Sequence, residues 1–208
     1  DNIEMFGKRL FDLVSSIFGL TVLTPFFAIF AILIKLDSPG PVFHRGVRIG
    51  LNGVPFRIFK FRTMVVGAEL SGVGVTVLGD SRVTRFGTWL RKYKFDELPQ
   101  AINVITGEMS VVGPRPEVPQ YTDTYTEEEK LCLTVKPGIT DTSSVRFFSL
   151  DEIVGSGDSG VKMFEEKILK EKNQLRVKYV REQSFGLDMK IIRQTFLKLF
   201  VKISKAIF

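Results

Sequence analysis

The sequence predicts an α+β, mostly helical protein held at a membrane, with one N-terminal apolar helix, a small β-hairpin and amphipathic helices around a core at the bilayer face. Three observations predict this. No charged residue interrupts Leu13–Ile34, "LVSSIFGLTVLTPFFAIFAILI", and 22 residues make a helix about 33 Å long, enough to cross a hydrocarbon core. The stretch "GPVFHRGVRIGLNGVPFRIFKFRTM" (40–64) alternates apolar and basic residues around Asn52-Gly53, the pattern of a hairpin. At the end of the chain, Leu187, Ile191, Ile192, Phe196, Leu199, Phe200 and Ile203 recur at helical spacing among lysines and arginines, as in a helix lying in the headgroup plane.

The elements follow in order. Pro25 lies near the middle of the apolar run, where it removes a backbone donor and kinks a helix. Lys8 and Arg9 precede the run, and Lys35, Arg45 and Arg48 follow it, so the positive-inside tendency is best met when both ends face the cytoplasm. A spanning helix and a kinked, re-entrant one both remain open from the residues alone. The Gly-rich 66–82 reads as a mobile loop and lacks the Gly-Lys-Ser/Thr of a P-loop. Helices are expected over 81–94 and from Leu98-Pro99 to about Thr106. Residues 126–130 read as a solvated acidic helical face, 135–141 as a turn, and 160–180 as a highly charged helix. These divide the chain into a membrane helix (1–38), a core at the membrane face (39–185) and a basic amphipathic helix (186–208), with no internal repeat.

Composition narrows the function classes. The chain has 208 residues, 44% of them hydrophobic, which is one domain's worth with an appendage. A formal charge of +6 calls for an anionic partner such as a phosphorylated substrate, an anionic membrane or nucleic acid. Nucleic acid is not expected, because the basic residues track the membrane segments rather than a groove-reading helix. Cys132 is the single cysteine and His44 the single histidine, which excludes an intramolecular disulfide and a thiolate zinc cluster and disfavours histidine-rich metal sites. The chain starts with Asp rather than Met, as expected of a piece of something longer, and its apolar C-terminus is suited to a partner chain, a homodimer included.

The chemistry concentrates in "RKYKFDELPQAINVITGEMSVVGPRPE" (91–117). Read locally, Asp96 is a helix N-cap and Glu97 suits the positive end of the helix dipole. Read with its neighbours, the pair suggests phosphoryl chemistry. An ionised aspartate is a competent nucleophile, but about 4 Å from a phosphate of two charges it is opposed by about 8 kcal/mol at an effective dielectric near 20. A divalent cation and arginines must offset that repulsion. Adjacent helical residues point about 100° apart, so the two acids are expected to do different tasks, and a division in which one attacks phosphorus and the other holds a metal fits. Arg115, pinned by Pro114 and Pro116, is a pre-positioned phosphate ligand.

"PFRIFKFRTM", "FDELPQAINVITGEMSVVGPRPE" and "VKPGIT", in that order after an apolar segment, resemble the bacterial sugar transferase family, the monotopic phosphoglycosyl transferases. The similarity covers nearly all of residues 5–200. The resemblance implies transfer of a sugar-1-phosphate from a UDP-sugar to a polyprenyl phosphate, undecaprenyl phosphate in bacteria, with release of UMP. This is the first membrane step of glycoconjugate assembly, on the cytoplasmic face of the bacterial inner membrane. It implies Asp96 as covalent nucleophile, Glu97 as Mg²⁺ ligand, and Arg91 and Arg115, with Pro114 and Pro116, as the phosphate-binding set. It also implies a re-entrant helix broken at Thr24-Pro25, where many members have Ser-Pro. One departure is marked: after "KPGIT" the chain reads "DTSSVRFF" (141–148) where many members have Gly and then Ala-Gln-Val. The alternative reading is a non-catalytic membrane-anchored assembly module that binds anionic lipid or a partner enzyme.

Overall fold

The computed structural model describes residues 2–68, 79–150 and 162–207. Helix α1 (Asn2–Asp37) is one helix, and its helical assignment runs through Pro25 without a break. The Thr24 hydroxyl donates to the Leu20 carbonyl at 2.7 Å and Thr21 to Ile17 at 2.9 Å, side-chain bonds beside the point where proline withholds its own. The middle of α1 leaves Ile17, Phe18, Val22, Phe26 and Ile29 exposed. Its two ends are docked on the rest of the chain. Near the first, Asp12 and Ser16 are buried; near the second, Phe30 and Ile34 pack with Phe61 and Leu90.

The hairpin forms where Asn52-Gly53 predicts it. Strand β2 (Val47–Ile49) pairs antiparallel with β3 (Pro55–Arg57), and Asn52 (φ 56°) and Gly53 (φ 75°) take the left-handed backbone that the connection requires. Outside them β1 (Phe43–His44) pairs with β4 (Lys60–Phe61) in the same register, so the four short strands are one ladder with a gap. At the gap, the Asn103 side chain accepts from Phe59 N (2.8 Å) and donates to the Arg57 carbonyl (3.0 Å). Phe56 and Ile58 face inward and Arg57 outward, as the alternation predicts.

Helix α2 (Arg85–Lys92) starts later than the sequence pattern suggests. Thr84 caps it by accepting from Gly87 N, while Val83 is taken up in a β-bridge to Met64 and Arg82 is clasped by Asp80. Helix α3 (Gln100–Thr106) has Pro99 rather than Asp96 at its N-cap. Asp96 lies in a 3₁₀ turn, Phe95–Glu97, and makes no cap bond, so the local reading of that acid is corrected. The expected turn at 135–141 is likewise a strand: β6 (Gly138–Thr140) runs parallel to β5 (Ser110–Val112). A Cβ on Gly138 would meet Gly113 N at 2.1 Å, so the glycine that suggests a turn instead permits two backbones to touch.

Beyond these lie α4 (Pro119–Thr122), a 3₁₀ turn (Glu129–Leu133), α5 (Thr142–Arg146), a π turn (Phe164–Ile168), α6 (Leu169–Glu182) and α7 (Phe185–Ile207). Glu127 and Glu128 are solvated as expected, but Glu129 accepts from Asn173. The charged α6 is not a solvated helix, since Lys172, Asn173 and Arg176 are buried. Helix α7 splits its apolar residues. Ile191 is buried with Val112, Val145 and Tyr179, whereas Phe196, Leu197, Phe200 and Val201 are exposed. Positions 69–78 of the Gly-rich stretch lie outside the described residues.

Candidate active site

A cleft of about 410 Å³ brings together Asp96, Glu97, Arg91 and Arg115 from three separate segments. Both helices that flank the acidic pair are clamped by α1. Arg9 donates to the Val104 carbonyl (2.7 Å) and the Ile105 carbonyl (3.2 Å) at the C-terminal end of α3, where cations are favoured. Asp12 accepts from Ser110 Oγ (2.8 Å) and Val111 N (3.0 Å), seating β5 beside it. At the other end of α1, Asp37 accepts from Phe86 N (2.8 Å) in the first turn of α2, the helix that carries Arg91. Gly107 (φ 92°) ends α3 in the left-handed conformation usual after a helix.

The two acids differ in environment. Asp96 is 8% exposed, and among the described residues its Oδ1 has no hydrogen-bond partner. Burial, and then the neighbouring Glu97 charge, hold its carboxyl above the usual aspartate range, against the pull of Lys60, Arg91 and Lys94. Lys94 precedes the turn in left-handed backbone (φ 60°), an uncommon conformation for a residue with a side chain. Glu97 is fully engaged. Both of its oxygens accept from the Arg115 guanidinium, Nη1 to Oε2 at 2.9 Å and Nη2 to Oε1, and Lys60 Nζ reaches Oε1 at 2.9 Å. Burial alone would raise Glu97, but Arg115 and Lys60 outweigh it and hold the carboxyl well below its ordinary range. Burial lowers the Lys60 ammonium, and Glu97 opposes that.

Arg91 lines the same cleft with its guanidinium 3.5 Å from the Thr63 hydroxyl. Pro114 and Pro116 do not line it; they flank Arg115 beside a separate small pocket, so their part is to fix the backbone from which Arg115 projects. Arg115 N donates to Asp141 at 3.2 Å, and Gly138 N to the Pro114 carbonyl at 3.0 Å, which ties this segment to β6 and α5. Thr24 and Pro25 lie in the exposed middle of α1, away from the cleft lining.

Sequence reasoning missed Lys60, Arg48, Lys172 and Ser144, which also line the cleft, and the ion network behind it. Arg176, fully buried, donates to Glu117 at 2.7 Å and Asn173 at 3.0 Å and lies 3.4 Å from Asp141. Asp141 in turn caps α5 by accepting from Ser144 N at 2.6 Å. A signal existed in both places. Lys60 shares its strand parity with the inward Phe56 and Ile58, and Lys172 and Arg176 stand four and eight residues after the buried Ile168.

For a divalent metal, the described residues hold no group of three or more His, Cys, Asp or Glu side chains that could cage an ion. The pair Asp96 and Glu97 fits the other mode of Mg²⁺ binding, in which one or two carboxylates and substrate phosphates share the ion.

The chain matches the Bacterial sugar transferase family over residues 3–202. It is 38% identical over 197 residues to a UDP-glucose:undecaprenyl-phosphate glucose-1-phosphate transferase of Escherichia coli (strain K12), an alignment that covers 93% of this chain and 40% of that protein. It is 39% identical over 196 residues to an undecaprenyl-phosphate glucose phosphotransferase of Komagataeibacter xylinus, covering 91% and 35%. With a UDP-N-acetylgalactosamine-undecaprenyl-phosphate N-acetylgalactosaminephosphotransferase of Aeromonas hydrophila it shares 34% over 199 residues, covering 93% and 43%. The chain therefore spans less than half the length of each of these relatives.

Proposed function

The chain belongs to the bacterial sugar transferase family, and we propose that it transfers a sugar-1-phosphate from a UDP-sugar to a polyprenyl phosphate through a phosphosugar-aspartate intermediate. One observation carries the chemistry. Asp96 is buried at the cleft with one carboxylate oxygen that has no hydrogen-bond partner among the described residues, beside a glutamate that is held by Arg115 and Lys60. An anchor module has no use for an acid kept in that state, which favours the enzyme over an assembly scaffold.

In the first step an Asp96 oxygen attacks the phosphorus bonded to the sugar-1-oxygen, the bond to the bridging oxygen breaks, and UMP leaves with that oxygen. In the second, an oxygen of the lipid phosphate attacks the same phosphorus and the Asp96 carboxylate departs. Arg91 and Arg115 supply charge to the phosphates, and Lys60 lowers the cost of a second anion beside Glu97. Glu97 would hold Mg²⁺ together with donor phosphate oxygens, and the ion would neutralise charge there. Arg115 then exchanges Glu97 for a phosphate. The relatives' names mention glucose and N-acetylgalactosamine, and the donor sugar here is a matter for direct assay.

The membrane reading rests on α1, which is long and apolar enough to cross a bilayer. Both of its ends dock on one body while the middle is exposed, which supports a re-entrant helix at the cytoplasmic face of the inner membrane. The exposed Phe196, Leu197, Phe200 and Val201 support α7 as an interfacial helix.

The test is UMP release from a panel of UDP-sugars with polyprenyl phosphate and Mg²⁺ in nanodiscs. Release is expected to need both lipid phosphate and metal for turnover, and Asp96→Asn is expected to abolish it in folded protein. Full activity in that variant removes Asp96 from the chemistry. Glu97→Gln is expected to weaken the Mg²⁺ dependence, and an unchanged metal titration removes Glu97 from the metal role.

A further inference from the structure

Helix α6 and the first turn of α5 place two polar side chains, Lys172 and Ser144, in the cleft lining with Arg115. Lys172 is 6% exposed and lines the cleft. Its ammonium lies 5.2 Å from the Phe164 ring, and among the described residues no carboxylate stands within ion-pair distance of it. Ser144, also in the lining, has a buried hydroxyl with no partner among the described residues, although Asp141 holds its backbone N–H. A buried cation without a counter-anion is costly unless a ligand supplies one. Burial, and then Arg176, push the Lys172 ammonium down to about 8, in keeping with that cost.

The chemistry of the cleft says which anion, since the candidate nucleophile and Lys172 share one lining. Asp96 is acted on chiefly by Glu97, Lys60, Arg91 and Lys94. Lys172 is acted on by Arg176, Glu117, Arg115 and Asp141. Asp96 and Lys172 reach the same cleft from different elements, the 3₁₀ turn Phe95–Glu97 and helix α6. Displacement at phosphorus is roughly in line, so the leaving oxygen points away from the attacking one. The same rule governs the second step, because an oxygen that expels Asp96 must approach from the face opposite it.

We propose that Lys172 and Ser144 form a phosphate subsite that holds the phosphate of the departing nucleotide in the first half-reaction and the lipid phosphate in the second. This rests on the transferase reading above. The apolar wall contributed by Phe147, Phe148, Phe196 and Leu199 continues from this subsite and suits a hydrocarbon tail attached to the second phosphate.

The experiment compares wild-type protein, Lys172→Met and Ser144→Ala in binding UMP and uridine, in melting temperature and in KM for polyprenyl phosphate. Lys172→Met is expected to weaken UMP about ten- to hundredfold, to leave uridine unchanged and to raise the lipid KM by a similar factor. Its melting temperature should rise by about 2–8 °C, because an unpaired buried charge has been removed; a purely structural lysine would lower it. Ser144→Ala, with no bond to lose, should keep the melting temperature and weaken UMP about threefold to tenfold. Unchanged UMP affinity in both variants, or uridine weakened as much as UMP, overturns the subsite. An altered UMP affinity with an unchanged lipid KM overturns its double use. Wild-type protein that releases no UMP from any donor overturns the transferase reading itself, whereas normal turnover in both variants overturns the subsite alone.

Discussion

Asp96 and Glu97 are neighbours in the chain with opposite electrostatic fates, and the difference comes from the two cations bonded to Glu97. Arg115 and Lys60 are bonded to Glu97, while Asp96 has burial and a neighbouring anion to contend with. If Asp96 is the nucleophile it must be ionised, so kcat/KM should rise with pH across a limb that lies above the ordinary aspartate value of about 3.9. Lys60 is the cation that pulls Asp96 down most, so Lys60→Met should move this limb to higher pH and lower the plateau. A pH–rate profile checks it, and a limb that stays in place would mean that Lys60 does not act on Asp96. Lys60 was legible only as a basic residue on a strand. What made it a site residue was its meeting with residue 97, and nothing in local sequence specifies that meeting.

Elements hold the site through their ends. Arg9 and Asp37, 28 residues apart on α1, cap α3 and α2, the two helices on either side of the acidic turn. Asp37→Ala should cost about 1 kcal/mol of stability, as the loss of a cap does, and should lower kcat/KM by loosening the helix that carries Arg91. Thermal melts paired with activity on the folded fraction separate the two effects. Arg176 does similar work for α6, with Glu117 and Asp141 on either side of it. Burial would raise both carboxyls, but Arg176 holds both below their ordinary range. The stabilisation is therefore present above that range and lost as pH falls through their folded values. Arg176→Met leaves two buried anions uncompensated and should cost about 3–5 kcal/mol in urea unfolding at neutral pH. The charged pattern of 160–180 gave a helix correctly, but charge count alone could not say which charges turn inward. Arg176 does so because opposite charges arrive from 117 and 141, while Lys172 turns into the cleft.

At the scale of the whole molecule the long apolar helix α1 is also the frame of the candidate site. If α1 is re-entrant, its ends lie on one side of the bilayer. Cysteines placed at the exposed Phe6 and Leu36 should then react with an impermeant maleimide from the same face of sealed vesicles, and buried Cys132 gives little background. Labelling from opposite faces would establish a spanning helix instead.

The sequence by itself determined the apolar run, the hairpin at Asn52-Gly53, the acidic pair and Arg115, because each is written in local periodicity, turn chemistry or adjacent residues. Only the tertiary structure decided that Asp96 is a buried acid rather than a helix cap, that 138–140 is a strand, and that Lys60, Lys172 and Ser144 share the cleft with it. The physical reason is that burial and ion pairing depend on what arrives from distant parts of the chain. A carboxylate's partner at 60 or 115 leaves no trace in the residues next to 97.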